Sequence, residues 1–373
     1  MFAVSGCLLC LLVPAAPEPG FLGLTARSAG LSEGPTDYAH HLRPSGTVRA
    51  VMLFARFPDT EAEETTQALH DLLVPRAVDY YRRASYGQVT LRVEPVPKWL
   101  PLARASTSGD YDCSRFEPHK RYLTEVVRLA EGEVDFARYD VVYIVGSRAK
   151  GVPNSPTFIA PTGAGVTSRG RELRWAVTFG NDVRGWNWGW QTLVHETGHL
   201  FGLPDLYLYE KRDWHRAAGA WDPMGLQMPG AHFLAWHKYK LGWLRDEQMV
   251  IVRAGAATVD LTPIAEAGGV KAVVMPVSAS EAWVAEARRH DAGDDDPLGL
   301  LVYRVSTTTA GGCGPVKVLP ARADDGNPAW KRLYEKLYSA LWFEGVALQD
   351  AEQHAAIEIV ERRETGIRVR ASR

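Results

Sequence analysis

The residues whose types and spacing can do chemistry lie in one string, His195-Glu196-Thr197-Gly198-His199. Histidines four apart on a helix project from the same side, one turn apart. Both imidazoles can then reach a single tetrahedral zinc ion at about 2.0–2.1 Å. Glu196 sits beside the first histidine and can lean over the metal without binding it, placed to take a proton from water there. The chain continues Leu200-Phe201-Gly202-Leu203-Pro204-Asp205. Gly202 stands where it can end the helix in a left-handed turn, and Pro204 fits a helix stop. Asp205 is then the expected third ligand, with Glu210 and Asp222 as alternatives. Two histidines and a carboxylate with one open position suit a catalytic zinc ion. A bare match to the His-Glu-x-x-His pattern arises by chance in roughly 2% of such chains, and requiring the glycine and aspartate lowers this to about one in 10,000.

The elements that must hold this string follow from patterning. Residues 48–54 form a β-rich run, stopped by Phe57-Pro58-Asp59. Residues 64–84 have helical spacing, interrupted by Pro75. A strand is expected over Val89–Val93, a helix over residues 119–130, a buried strand over Tyr139–Val145 and another strand over Glu172–Phe179. Strand and helix alternate, which favours an α/β domain over residues 47–248. From 249 to 373 short β-rich runs separated by turns predict a β-rich C-terminal domain, mainly antiparallel, with a helical insertion near 328–341. The string Trp186-Asn187-Trp188-Gly189-Trp190 runs straight into the zinc-site helix. It reads first as a core edge anchoring that helix and second as a wall of a substrate cleft.

Composition narrows the classes. The 373 residues are 46% hydrophobic and 23% charged, enough for a sizeable core, and the formal net charge of −2 gives no global attraction to nucleic acid. No apolar run reaches the roughly 20 residues of a membrane span. Residues 2–13 are apolar and are followed by Ala15 and Ala16, so residues 1–16 predict an export signal. It is atypical, since no Lys or Arg precedes Arg27. Residues 17–46 are rich in Pro, Gly and Ser and read as a linker or short pro-segment. Export places the chain outside the cell and removes Cys7 and Cys10. Cys113 and Cys313 remain, either joined as a disulfide or as two buried thiols. The acidic run Asp291–Asp296 reads as a solvated turn, with a Ca2+ site as the alternative. A peptide or protein substrate and a monomeric chain are expected.

Taken with a methionine downstream, the zinc string resembles the metzincin zinc peptidases, in a variant with Asp as third ligand. Trp221-Asp222-Pro223-Met224-Gly225 stands where their Met turn would lie. Thermolysin-like enzymes instead take a glutamate from a later helix, where this chain has Gly219. The likeness is closest to the M6, immune-inhibitor-A-like peptidases. It is carried by Phe57-Pro58-Asp59, Ser85-Tyr86-Gly87, residues 134–140, residues 199–207, residues 236–243 and the region from Glu286 to Val305. This resemblance implies an α+β chain: a metzincin-like α/β catalytic domain with a mixed sheet and a zinc-binding helix, then the β-rich domain. It implies a secreted zinc endopeptidase, with Glu196 as general base and Met224 as an apolar floor under the metal. Many metzincins carry a tyrosine two residues after that methionine, and here the position is Leu226. Oxyanion stabilisation would then fall to His232, Tyr207 or Tyr209. A non-catalytic binding or adhesion protein on a peptidase fold and an amidase acting on cell-wall peptide are the alternative readings.

Overall fold

The computed structural model describes residues 21–25, 31–184, 189–210, 214–227, 232–289, 296–321 and 340–373. The expected export signal, Trp186, Trp188, residues 291–295 and residues 328–339 lie outside them. The chain is a mixed α/β structure with several sheets and few helices. It divides by packing into two compact units, Asp37–Gly202 and Met1–Thr36 with Leu203–Arg373. These limits differ from the expected spans 47–248 and 249–373. Residues 203–248 fall with the later strands because they bond to them, as when the Ala235 N–H donates to Glu286 at 2.7 Å.

The unit of residues 37–202 begins with β1 (Gly46–Arg56), α1 (Thr66–Ala84), β2 (Val89–Pro101), α2 (Phe116–Ala130) and β3 (Val141–Gly146). There follow β4 (Thr157–Ile159), β5 (Val166–Ser168), β6 (Arg171–Leu173), β7 (Trp175–Phe179) and α3 (Gly189–Leu200). A five-stranded sheet runs in the order β2-β1-β3-β7-β4, parallel except for the antiparallel strand β4. β1 and β3 are buried on both faces, as parallel strands must be. Alternation along the strands assigns those faces. Val51, Leu53, Val142 and Ile144 share a core with Tyr122, Leu123 and Val126 of α2. Tyr143, one position along, turns the other way and meets α3, its hydroxyl 2.7 Å from that of Thr197.

Several sequence expectations change here. α1 runs unbroken through Pro75. A mid-helix proline costs about 3 kcal/mol, but Leu69, Leu73, Ala77, Tyr80, Tyr81 and Ala84 bury one face on both sides of it. β2 extends well past Val93 to Pro101 despite Pro95 and Pro97. It is the edge strand, where a missing backbone donor is tolerated. The run Glu172–Phe179 splits at Arg174 into β6 of a small hairpin and β7 of the main sheet.

The other unit carries α4 (Ala235–Lys240), β8 (Met249–Ile251), β9 (Ala256–Leu261), β10 (Ala272–Pro276), β11 (Glu281–Arg288) and β12 (Gly299–Ser306). It continues with β13 (Val316–Val318), β14 (Leu341–Trp342), β15 (Gly345–Asp350), β16 (Ala355–Arg363) and β17 (Gly366–Ser372). β13-β12-β11-β10-β8, with β14 beside β12, form one sheet, and β15-β16-β17-β9 a second. Val273, Met275, Ala285 and Val302 of the first sheet pack with Ile357, Ile359, Ile367 and Val369 of the second around one core. The pairings are antiparallel except β10 with β8, which is parallel. Leu341, placed by the sequence in a helical insertion, lies in β14.

Residues 31–36 are not a loose tether. Glu33 is fully buried, and its carboxylate accepts from His237 Nε2 at 3.0 Å. Its carbonyl accepts from the Trp236 indole at 3.1 Å, and the Gly34 carbonyl accepts from Lys240. No disulfide joins Cys113 and Cys313. The buried Cys113 thiol donates instead to the Tyr111 carbonyl at 3.3 Å, and burial pushes its pKa up to about 12. No helix among the described residues is long and apolar enough to cross a membrane.

Candidate metal centre

α3 owes its place to contacts on both sides. Tyr81 of α1 donates to the Val194 carbonyl at 2.7 Å, and Tyr143 of β3 meets Thr197. Every residue of the helix is buried. At its start, a Cβ on Gly189 would stand 2.5 Å from the Val183 carbonyl oxygen, so only glycine permits that approach. Trp190 packs on Tyr80 with ring centroids 5.9 Å apart, and the Arg76 guanidinium lies 4.7 Å over it. For this tryptophan the anchoring role fits. At the far end Gly202 has φ +94°, and its N–H bonds back to the His199 carbonyl at 2.9 Å. The helix stops where the glycine spacing places the stop.

His195, Glu196 and His199 come together on this helix at 1%, 8% and 8% exposure. The two imidazoles lie 4.7 Å apart, nearly perpendicular at 88°. One nitrogen from each histidine and one carboxylate oxygen of Glu196 all fall within 4.8 Å of one another. Nitrogens that share one zinc ion at about 2.0–2.1 Å stand at most about 4.2 Å apart, a separation that falls inside the 4.8 Å bound on this group. Two imidazole nitrogens with a carboxylate beside them suit a borderline-soft divalent cation. This is the one such group of three or more metal-binding side chains among the described residues. Glu196 is held asymmetrically. Its Oε2 accepts from the Thr157 hydroxyl at 2.7 Å, and its Oε1 lies 4.0 Å from His195 Nε2. Sequence reasoning missed Thr157, which stands 39 positions upstream.

The remaining expected site residues belong to the other unit. Asp205 is buried, and its Oδ2 accepts from the Tyr209 hydroxyl at 2.6 Å. Tyr207 and Tyr209 pack ring to ring at 5.7 Å. Glu210 is 71% exposed and pairs with Arg216 at 3.1 Å. Asp222 is fully buried and engaged on both oxygens: Oδ1 accepts from the Met224 N–H at 2.8 Å, and Oδ2 from the Leu234 N–H and His237 Nδ1, each at 2.8 Å. These bonds leave it a poor candidate ligand and make it the anchor of the Met224 turn. Met224 is fully buried, and its carbonyl accepts from the Leu206 N–H at 2.8 Å. The His232 carbonyl accepts from Arg288 at 2.5 Å, as does the Trp221 carbonyl at 2.6 Å. Burial alone would push His237 down, but the carboxylates of Asp222 and Glu33 reverse this and raise it to about 10.

No protein-family model matches the chain, and no curated protein sequence matches it. Among solved structures it is similar to metalloproteinase-II from Bacteroides fragilis, at 14% sequence identity and a TM-score of 0.33, with 59% of each chain covered. The chain thus spans less than two thirds of that protein's length.

Proposed function

We propose that the chain is a secreted zinc-dependent endopeptidase of the M6, metzincin-like kind. The observation that carries this reading is the buried His195–Glu196–His199 group, with donor atoms within 4.8 Å on one helix. His195 and His199 would hold the metal. Asp205, six residues beyond His199 and past the Gly202 turn, is the third ligand by its spacing. A bound zinc ion supplies Lewis acidity and lowers the pKa of its water toward 7.

The side chains do the rest. Glu196 takes the proton of the attacking water and returns it to the leaving amine as the peptide bond breaks. Burial around α3 limits competing solvent, which strengthens each polar contact made there. A non-catalytic binding protein has no need of the glutamate between the histidines, and that residue is present.

The test is digestion of a peptide library by the purified protein, with and without a zinc chelator. Cleavage that the chelator abolishes supports the reading. Glu196→Ala is expected to keep its zinc while losing about 100-fold or more in kcat. Near-normal turnover in that variant would sink the assignment. Cleavage confined to amide bonds of cell-wall peptides would favour the amidase reading.

A further inference from the structure

Thr157 opens β4, and its hydroxyl lies 2.7 Å from Glu196 Oε2 and 3.1 Å from the Glu196 carbonyl oxygen. A hydroxyl has one proton to give. A carbonyl inside a helix is already served by the N–H four residues on, so the proton belongs with the carboxylate. A bond from a hydroxyl to an ionised carboxylate is short and strong, as this one is. The carboxylate is thereby divided. One oxygen is tied to the sheet, and the other, Oε1, stands on the side of the His195 imidazole at 4.0 Å.

Thr157 can act as a fixed point because it is itself held. Its strand pairs with β7, with Thr157 opposite Val177. Two residues earlier, Ser155 donates its N–H and hydroxyl to Asp182 at 2.9 and 2.6 Å. Between them, the Pro156 carbonyl accepts from the Thr178 N–H at 3.0 Å. A β-branched residue has little torsional freedom of its own. A glutamate has three side-chain torsions, and a bond from a rigid neighbour restrains the last of them.

We propose that Thr157 is a positioning residue for Glu196: its hydroxyl occupies Oε2, so that Oε1 is the oxygen offered for proton transfer. The proposal rests on Glu196 acting as the general base of a zinc peptidase. It names the residue that aims the base.

The test compares Thr157→Val, which keeps the shape and loses the hydroxyl, with Thr157→Ser, which keeps the hydroxyl. Both are loaded with zinc and their metal content is measured. Thr157→Val is expected to lose about 100-fold in kcat with KM unchanged, the mark of a misaimed group rather than lost binding. Thr157→Ser is expected to recover most of that loss. Wild-type kcat in Thr157→Val, or an equal loss in Thr157→Ser, would overturn the proposal. A zinc-loaded Glu196→Ala that still cleaves peptides overturns the general-base reading instead, so the two failures are distinguishable. Crystals of the zinc-loaded proteins give a second readout. Glu196 is expected in one rotamer in the wild type and Thr157→Ser, and spread over several in Thr157→Val. A single unchanged rotamer in Thr157→Val overturns the proposal whether or not substrate is cleaved.

Discussion

The Tyr209 hydroxyl donates a 2.6 Å hydrogen bond to Oδ2 of Asp205. Tyr209 entered as a candidate for oxyanion stabilisation, and in this structure its hydroxyl is committed to the expected third ligand. A partner of this kind fixes a ligating carboxylate and tunes its basicity, and its loss costs about 10–100-fold in metal affinity or activity. Tyr209→Phe is therefore expected to weaken zinc binding by about tenfold, measured by competition with a chelating dye. Unchanged affinity would detach Tyr209 from the metal.

Deleting ligands separates the candidates. His199→Ala is expected to lose most of its zinc by elemental analysis, and Asp205→Ala to bind it far more weakly. Glu210→Ala should retain a full complement, because that side chain is 71% exposed and paired with Arg216. Full zinc content in His199→Ala would mean that the ligand set is wrong.

His237 gives the fold a pH dependence. Its pKa is about 10 in the folded chain against an ordinary value of about 6.5. A raised folded value means the stabilisation is complete below pH about 6.5 and is lost as pH rises through about 10. Within that window the loss approaches about 1.4 kcal/mol per pH unit. Lys240 and Lys271, pushed from 10.5 down to about 8 by burial, act with the opposite sign between about pH 8 and 10.5. The informative quantity is thus a difference between proteins. The wild-type urea midpoint is expected to fall more steeply from pH 6.5 to 9 than that of His237→Gln. Equal slopes would remove the imidazole from the account.

Legibility in the sequence followed the range of the contacts. The pairing of His195 with His199 is local, set by helical period alone, and so is the stop at Gly202. The strands β1 and β3 are runs of apolar residues because both faces are covered, and such runs are visible without a partner. The hold on Glu196 was invisible, since Thr157 reaches it through sheet order rather than spacing. The same holds for Glu33, which meets His237 across 204 positions of chain. Composition there pointed to a linker, because a glycine- and proline-rich stretch has the same look whether it dangles or threads a core. Pro75 misled in the other direction: a local breaker was outweighed by the buried face of α1.

The chain Glu33–His237–Asp222–Met224 sets a limit on how far the N-terminus can be trimmed. A protease that cuts past Gly34 strips one of two carboxylate partners from a fully buried imidazolium. The imidazolium then rests on Asp222 alone, and losing one partner of a buried ion-pair network is destabilising. The position of Glu33 thus acts as a ruler for any processing at this end: the shortest stable form of the protein must still carry it.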